Sequence, residues 1–584
     1  MESKKLLSIT FFLTMMIGCV AFAGCGCSES DEGAMILSIG GYPDTVDPAF
    51  NSSADGATYI VHAFAGLVGF RQDASGKLVL TPECAIELPT PVKSDDGMTS
   101  YTFKLREGLK WSDGTALDAN DFVYAWNRAA DPATASDYGY MFEVIDGYTE
   151  MVEGTGKALN VTASPDGTEL TVVLPVDVPY FYELCAFPVY MPVRRDIIEA
   201  NGEAWATKPE TYIGNGAYKV TEFTLNRMVL EKNEYYYNAE EIVTDKLVFA
   251  FNSDDASLLT NFRNGSYLFI DSVPNDEIKA LRSGRYKDEF YVTGQLGTYY
   301  VSFNVNDKAL EEFTESEKAK IRRALGLVID RNYIVEEIGQ AGQVPAAGFV
   351  AMGLTEPDGR EYIAKNGPNR DGTGYYSIAD DDYQANCDAA VALLKEVSDS
   401  SKKFAVVGNK VTGFPTLTYI TNDGSGHEAI ATYLQQVWGN YGFDIKVEVQ
   451  EWATFLNTRK EGNYSVARNG WLGDYNDPIS FLDLWVSGSG NNDCQFGRGA
   501  HASFDGYQGG NWAESYDTII AEVKSSGDVY RRFELMHVAE DMLMESGAIC
   551  PIYYYTDIFM CSDKMDGFFA SPLGYKYFMY ATVK

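Results

Sequence analysis

The sequence predicts an α/β fold, and three patterns along the chain indicate it. The segment "PTLTYI" is typical of a strand, "HEAIATYLQQVWGNYG" places apolar residues at helical spacing, and "FDIKVEVQ" alternates apolar and polar residues. "YTFKLREGLKWSDGTALDANDFVYAWNRAADP" predicts a strand, a tight turn and a helix capped by Asp118 and ended by Pro132. "TESEKAKIRRALGLVIDRNYIVEEIG" predicts a helix opened by Thr314 and Glu317 at capping-box spacing. The strand–helix–strand order predicts a pair of parallel strands.

Other segments supply further strands and two long loops. "AMILSIGGYPDTVDPAF" predicts a strand that runs into a turn, "LTVVLPV" a strand, and "GAYKVTEFTLNRMVLEKN" a hairpin. Residues 353–382 are acidic and contain Gly, and residues 487–512 are Gly-rich. Both are predicted to be surface loops.

Composition and charge exclude several classes of protein. The 584 residues are 46% hydrophobic and 14% aromatic, which is ample for large cores and excludes wholesale disorder. The formal net charge is 46 − 83 = −37. A chain this acidic is repelled by phosphate backbones, so nucleic acid is excluded as a partner, as is docking on an anionic membrane through a basic face.

The N-terminus has the pattern of a secretory signal. Lys4 and Lys5 precede an apolar stretch that runs to about Ala23, too short for a typical membrane-spanning helix. The stretch ends in "FAGC", which resembles the lipobox of bacterial lipoproteins. We therefore predict a signal peptide at 1–24, lipidation of Cys25, a flexible tether at 25–34 and an address on the outer face of the cytoplasmic membrane. Cys19 is the alternative lipidation site.

The remaining residues show no catalytic or metal-binding motif. Seven cysteines after Cys25 are an odd number at wide spacings without CxxC, which indicates buried thiols with or without a single disulfide. The four histidines show no HExxH, and the chain has no GxSxG elbow and no P-loop. The sequence therefore predicts no catalytic residue, no metal and no cofactor.

One stretch combines charge and a large aromatic. "RNGWLGDYNDPISF" places Arg468, Trp471 and Asp474 at intervals of three residues, directly after the predicted strand "YSVAR". Ligands of open α/β sheets sit outside the carboxyl ends of the strands. This stretch is therefore predicted to form one side of a pocket for a charged ligand.

Several motifs in this order resemble the family-5 solute-binding proteins of ABC importers, and within that family the oligopeptide-binding proteins. They are "YTFKLREGLKWSDGTALDANDFVYAWNRAADP", "NGAYKV", "IRRALGLVIDRNYI", "QEWATFLNTR", "VARNGWLGDYNDPISFL", "ESYDTIIAE" and "PIYYYTD". The resemblance implies an α/β, bilobal, periplasmic-binding-protein-like fold of the class II type, with a hinge and an extra inserted domain. The implied boundaries are lobe I at 35–66, 190–298 and 556–584, the inserted domain at 67–189, and lobe II at 299–555.

The resemblance also implies a function. The protein would be a lipid-anchored, monomeric receptor that captures oligopeptides between its lobes and delivers them to the membrane-spanning permease subunits of an ABC importer, which are coupled to ATPases. No chemistry on the ligand is expected. The alternatives are a receptor of the same fold for an oligosaccharide, a nickel chelate or haem, and a secreted hydrolase or surface antigen.

The motifs imply roles for individual residues. Asp474 matches the aspartate that pairs with the α-ammonium of a peptide, and His427 a histidine that meets its carboxylate. Arg468 either contacts the peptide or forms a structural ion pair with Asp474 or another acid. The other implied pocket residues are Trp471, Leu472, Trp452, Arg459, the wall residues Tyr300 and Tyr555, and a polar strip of Asp271 and Ser272.

The chain departs from some peptide-binding relatives at one pair of positions. Those relatives carry a disulfide near the pocket, and the matching residues here are Gly297 and Leu472. Because that bond cannot form, packing and hydrogen bonds are expected to position the loop of Asp474. The sequence does not fix the length of the bound peptide, because the long loops at 353–382 and 487–512 bear on the size of the pocket.

Overall fold

The computed structural model describes residue 31, residues 33–73 and residues 78–584. The predicted signal peptide, Cys25 and most of the tether lie outside the described residues. In the described part, no helix is both long and apolar enough to cross a membrane.

The fold is built around one mixed sheet of eleven strands. Ten of them follow one another across the sheet, and Val344–Pro345 pairs separately with Ile549–Cys561. In spatial order the ten are Ile445–Gln450, Leu417–Asn422, Val466–Leu472, Phe290–Phe303, Ile549–Cys561, Phe269–Ile270, Met35–Ser38, Lys246–Ala250, Arg227–Lys232 and Tyr218–Phe223.

Smaller sheets and helices surround this sheet. Four strands form a separate sheet within 67–189: Val92–Lys93, Thr99–Lys104, Glu169–Leu174 and Val161–Ala163. Two-stranded pairs are Val68–Gln72 with Leu78–Pro82, Ala405–Val407 with Lys410–Thr412, Met565–Asp566 with Thr582–Val583, and Phe569–Ala570 with Lys576–Tyr577. The α-helices are Ala54–Ala63, Ala119–Ala130, Tyr148–Val152, Phe181–Cys185, Arg195–Asn201, Asp255–Arg263, Ile278–Ser283, Glu315–Leu327, Arg331–Tyr333, Tyr383–Ser401, Ser425–Asn440, Trp452–Lys460, Ile479–Leu482, Thr518–Ser525 and Val529–Glu545.

Two long antiparallel strands, Phe290–Phe303 and Ile549–Cys561, run through both halves of the sheet, and we name them the hinge strands. Their pairing runs regularly to Gly294 opposite Thr556, then shifts, and resumes with Thr298 opposite Tyr554. The shift leaves a bulge in the first strand, a feature that bends a sheet locally. It lies beside the predicted boundaries of lobe I and lobe II, which stay a prediction.

The predicted local elements are confirmed. Leu417–Asn422 and Ile445–Gln450 pair in parallel and are joined by the helix Ser425–Asn440. Both predicted helix starts are capping boxes, at Asp118 and at Thr314. In each, a side-chain oxygen satisfies backbone N–H groups that have no partner within the helix.

The two segments predicted to be surface loops are partly buried. In 353–382, Tyr362 stacks on His537 with ring centroids 4.0 Å apart, and Glu356 lies 2.7 Å from His537 Nε2. In 487–512, Phe496 and Trp512 stack at 4.2 Å, and both are fully buried. Aromatic residues within these two polar segments therefore pack parts of both into the interior of the protein.

A buried carboxylate joins three segments of the chain. Asp47 accepts two hydrogen bonds from Arg128, at 2.9 and 2.6 Å, and one from Trp205 Nε1 at 2.7 Å. It also accepts the backbone N–H of Ala49. Arg128 lies within residues 67–189, whereas Asp47 and Trp205 lie before and after that range, so this network ties residues 67–189 to the segments on either side.

We expect Asp47→Asn to lower the free energy of unfolding by about 3–5 kcal/mol, because it leaves the guanidinium of Arg128 largely buried without its counter-ion. Urea denaturation followed by tryptophan fluorescence measures the loss. Glu199→Gln is the matched control, since it breaks the exposed pair of Arg195 and Glu199 on a helix surface. Equal, small shifts for both variants would contradict the structural role of Asp47.

Candidate functional site

A cavity of about 510 Å³ lies where both halves of the central sheet meet the inserted domain. Its wall is formed by residues from 44–57, 137–187, 452–474, 491–493 and 573–575, together with side chains of the hinge strands. Eight of the eleven residues that the sequence singled out line it: Tyr300, Trp452, Arg459, Arg468, Trp471, Leu472, Asp474 and Tyr555.

The loop that carries Asp474 is held by hydrogen bonds and packing. The N–H of Gly473 donates to the carbonyl of Leu296 at 2.7 Å, and that of Asp474 donates to Ser480 Oγ at 2.8 Å. Trp471 Nε1 donates to the carbonyl of Ser480 at 2.7 Å. These contacts fasten the loop to the bulge in the first hinge strand and to the short helix Ile479–Leu482, which follows the loop in the chain.

Leu472 fills the space beside Gly297. The two residues are partners in the register between Phe290–Phe303 and Val466–Leu472. A Cβ on Gly297 would lie 2.4 Å from Leu472 Cδ2, so the leucine occupies the space that a second side chain would need. Packing and hydrogen bonds thus position this loop.

The carboxylate of Asp474 is buried without a cation. Only 6% of the residue is exposed, and no basic group of the described residues lies within 4.0 Å of its oxygens. Its oxygens accept hydrogen bonds from Tyr138 Oη at 3.0 Å and Tyr140 Oη at 3.2 Å. The pKa of Asp474 is raised to about 8, mainly by burial. The nearby charge of Asp483 also raises this pKa, whereas the hydrogen bonds from the two tyrosine hydroxyls lower it. The site is therefore built to receive a cation or a proton.

The guanidinium of Arg468 is buried without an anion. Only 9% of Arg468 is exposed, and no carboxylate of the described residues lies within 4.0 Å of it. It lies over the ring of Tyr299 at 5.2 Å and that of Trp452 at 5.9 Å, and its Nε has no hydrogen-bond partner. A structural ion pair with Asp474 is absent, so one buried charge of each sign faces the same cavity.

Arg459, in contrast, is neutralised within the protein. Its Nε lies 3.4 Å from Asp493 Oδ2, and its Nη1 donates to Asn469 Oδ1. Asn469 in turn donates to Asp493 at 3.1 Å. Asp493 comes from the Gly-rich segment 487–512, so that segment contributes to the wall of the cavity.

Three of the residues proposed from the sequence do not reach the cavity wall. Asp271 forms an ion pair with the buried Lys576 at 3.2 Å, and Ser272 donates to Asp255 at 2.7 Å, so the expected polar strip is engaged in lobe I. His427 stacks on Tyr299, and burial together with the charge of Arg468 lowers its pKa to about 2. It is a neutral neighbour of Arg468.

The sequence did not reveal the partners of Asp474. Tyr138 and Tyr140 lie more than three hundred positions earlier in the chain, in the inserted domain. Tyrosines are abundant here, 39 in all, so two of them at alternate positions carry no distinguishing signal. Only the folded chain brings them to the carboxylate.

Comparison with known proteins identifies the family. A model of the bacterial extracellular solute-binding proteins, family 5 (middle region), matches residues 85–493. The chain belongs to this family. It is 32% identical over 468 residues to the periplasmic oligopeptide-binding protein OppA of Salmonella typhimurium, an alignment that covers 78% of this chain and 77% of the relative. The family expected from the sequence motifs is confirmed.

Two solved structures of one family member show how the lobes are arranged. The murein tripeptide binding protein MppA of Escherichia coli superposes with a TM-score of 0.77 at 27% identity, covering 94% of this chain and 98% of that one. The unliganded open form of MppA superposes with a TM-score of 0.62 at 26% identity, covering 94% of this chain and 97% of that one. The bilobal fold is thus confirmed, and the arrangement of this chain is more similar to the first of these structures than to the unliganded open form.

Contacts across the cleft hold this arrangement. Lys524 pairs with Glu143 and lies 3.4 Å from Asp483. Tyr180 and Tyr475 stack at 4.5 Å with their planes 13° apart. A second ion pair, between Lys460 and Asp137, spans the cleft at 3.0 Å. With the hydroxyls on Asp474, these contacts join residues 137–180 to residues 460–524.

We expect Lys524→Met to shift the protein towards an open form. Without the ammonium, Glu143 and the buried Asp483 are left as like charges, which costs the closed form about 2–3 kcal/mol, on the order of a hundredfold in the ratio of closed to open molecules. Small-angle X-ray scattering of the unliganded protein measures the increase in its radius of gyration. Lys403→Met, which breaks an exposed pair with Glu312 within lobe II, is the control. Identical scattering by both variants would contradict the role of Lys524.

Proposed function

We propose that the protein is an extracytoplasmic receptor that captures oligopeptides by their two charged ends and delivers them to an ABC importer. The observation that supports this is the pair of uncompensated charges in one cavity, the carboxylate of Asp474 and the guanidinium of Arg468. A zwitterionic peptide supplies the ammonium for Asp474 and the carboxylate for Arg468. The name of the Salmonella typhimurium relative agrees with this ligand class.

The charges favour a peptide over a neutral sugar. A neutral oligosaccharide offers no ammonium to Asp474 and no carboxylate to Arg468, and it would leave the buried guanidinium of Arg468 without a partner, which costs several kcal/mol.

The remaining wall residues would contact the body of the peptide. Trp452, Trp471, Tyr300, Tyr555 and Leu472 offer aromatic and aliphatic surface that accepts varied side chains. Arg459 would act indirectly, by holding Asn469 and Asp493 in place. The proposed role is binding without chemistry, in which the ligand stabilises the closed arrangement that a transporter recognises.

The setting of this receptor is also a proposal. The N-terminal pattern supports a lipid anchor at Cys25 on the outer face of the cytoplasmic membrane, with lobe boundaries as expected from the family motifs. Its partners would be the permease subunits of the importer and their ATPases, and the receptor would act as a monomer.

Asp474→Asn tests the ligand class. We expect it to weaken the binding of a free-amine tripeptide by about a hundredfold and that of the N-acetylated peptide by less than about threefold, because only the ammonium needs the carboxylate. Isothermal titration calorimetry of both peptides gives the two ratios. Asp423→Asn, an exposed acid of the same lobe outside the cavity, is the control. Equal losses for both peptides would mean that the carboxylate is structural. A wild-type protein that binds an oligosaccharide and no peptide would overturn the proposal.

Peptide binding should depend on pH through the same carboxyl group. Because the pKa of Asp474 is about 8, the unliganded carboxyl holds a proton at neutral pH, which a peptide ammonium must displace. Affinity should therefore rise towards pH 8, by up to about tenfold per pH unit, while the peptide amine stays charged below its pKa of about 7.7–8.0.

Calorimetry at about pH 6 in buffers of different ionisation enthalpy should show about one proton released per bound peptide. The N-acetylated peptide is the control and should release none, since it brings no ammonium to the carboxyl. Affinity that does not change with pH, together with no proton release, would show that Asp474 is already ionised before binding.

A further inference from the structure

One group of apolar side chains lies at an edge of the central sheet, outside the cavity. Tyr42 stacks on Phe223 with ring centroids 5.4 Å apart and planes at 16°, and it meets Phe251 edge-on, also at 5.4 Å. Leu225 lies two residues beyond Phe223, at the turn of the hairpin that joins the last two strands of the sheet. We name these four residues the hairpin patch.

The hairpin patch is open to solvent. Leu225 is 79% exposed, the largest fraction of any exposed large apolar side chain among the described residues, and Tyr42 is 48% exposed. Phe223 and Phe251 are half-buried. Single exposed apolar residues are ordinary, but four at one hairpin indicate a contact surface.

The N-terminal end of the described residues is fixed beside this patch. Asp31 is only 7% exposed and lies 2.8 Å from Nη1 of Arg227 and 3.6 Å from Nζ of Lys246. Arg227 follows Leu225 by two residues, at the start of the second strand of the hairpin. The segment that leads back to Cys25 therefore departs from a point next to the hairpin patch.

A lipid on Cys25 would limit the distance between this point and the bilayer. Asp31 follows Cys25 by six residues, which reach at most about 20–22 Å when fully extended. The ten strands that follow one another across the central sheet span about 43 Å, at about 4.8 Å between neighbours. The anchor would thus hold the edge that carries the hairpin patch, rather than the far edge of the sheet, beside the membrane.

The ion pairs that fasten this point add no net charge. Arg227 pairs with Glu222 and Asp31, and Lys246 pairs with Asp31, so two bases stand against two acids. The whole chain, in contrast, carries a net charge of −37. An apolar surface beside a balanced network can approach a bilayer whose anionic lipids repel the acidic remainder of the protein.

We propose that the hairpin patch rests on the phospholipid surface next to the anchored Cys25, with Tyr42 and Leu225 at the boundary between headgroups and acyl chains. The inference rests on the lipid anchor of the proposed function. Leucine and aromatic side chains suit this boundary, and a weak contact suffices once an anchor has raised its effective concentration. The turn of Tyr42 continues into Asp44 and Thr45 at the cavity wall, so the contact also sets the orientation of the cavity relative to the membrane.

Fluorescence quenching by lipids measures the contact. A fluorophore on Asn226→Cys labels the exposed neighbour of Leu225 and keeps the patch intact, and one on Val407→Cys labels an exposed position towards the opposite edge of the sheet. Both proteins carry Cys27→Ser, so that the label goes to the new thiol, since the six described cysteines are buried.

The full-length lipidated protein is placed in phosphatidylcholine vesicles that contain no transporter and whose lipids carry a quencher at headgroup depth. We expect the fluorophore at position 226 to be quenched at least about threefold more strongly than that at position 407, because interfacial apolar side chains lie about 5–10 Å deep at the headgroup boundary.

Two double variants of the protein labelled at position 226 separate the patch from the anchor. Tyr42→Ser with Leu225→Ser removes its two most exposed side chains, whereas Val407→Ser with Tyr530→Ser removes comparably exposed apolar side chains elsewhere. Quenching should fall to the level of position 407 in the first and stay unchanged in the second. Thermal unfolding checks that both are folded, and both should bind a tripeptide as before, since none of the four residues lines the cavity.

Equal quenching at positions 226 and 407 with the patch intact would overturn the inference and leave the patch as a surface for a protein partner. Stronger quenching at position 226 that survives the loss of Tyr42 and Leu225 would also overturn it. So would mass spectrometry that finds no lipid on Cys25, because the anchor is what places the bilayer here. Peptide binding measured without vesicles tests the proposed capture of peptides separately, so the failures are distinguishable.

Discussion

A carboxylate buried away from water raises the free energy of a protein until a cation or a proton reaches it, and in this cleft Asp474 is held there from both sides. Its loop follows the strand Val466–Leu472, whereas the hydroxyls of Tyr138 and Tyr140 come from a segment more than three hundred positions earlier in the chain. Closing the cleft therefore removes water from the carboxylate and supplies two hydrogen bonds that do not neutralise it. In the proposed function the ammonium of the ligand takes the place of a proton on this carboxyl group, so that binding and closure would stabilise each other.

The hinge strands explain how the two sides can move while the site keeps its shape. They run through both halves of the sheet, and their register breaks between Gly294 and Thr298. The bulge at this break also holds the binding loop, because the carbonyl of Leu296 accepts the N–H of Gly473. The point at which the sheet can bend is thus tied directly to the residues that face the ligand.

Local elements and the recognition loop could be predicted from the sequence, because their signals lie within short segments. The capping box at Thr314, the strand–helix–strand around Ser425–Asn440 and the placement of Asp474 after a strand are of this kind. The partners of Asp474 could not be predicted, since only tertiary folding brings Tyr138 to it. Asp271 was expected at the wall of the cavity, but it forms an ion pair with Lys576. The sequence did not reveal this pair for the same reason, since the two residues lie three hundred positions apart in the chain.

The Gly-rich segment shows a second limit of sequence reasoning. Its composition indicates a loop, yet Phe496 and Trp512 form a buried stack, and Asp493 neutralises Arg459 at the cavity. Composition averages over a segment and hides a few aromatic side chains that decide its packing.

Leu472 beside Gly297 has a consequence for the environment in which the protein can mature. Packing takes the place of a covalent bridge there, and the six cysteines of the described chain are all unbridged and buried. Burial raises the pKa of the thiols of Cys84, Cys185 and Cys494, which keeps them unreactive towards oxidants. The geometry of the binding loop is therefore independent of redox conditions, and its folding requires neither an oxidant nor a disulfide isomerase.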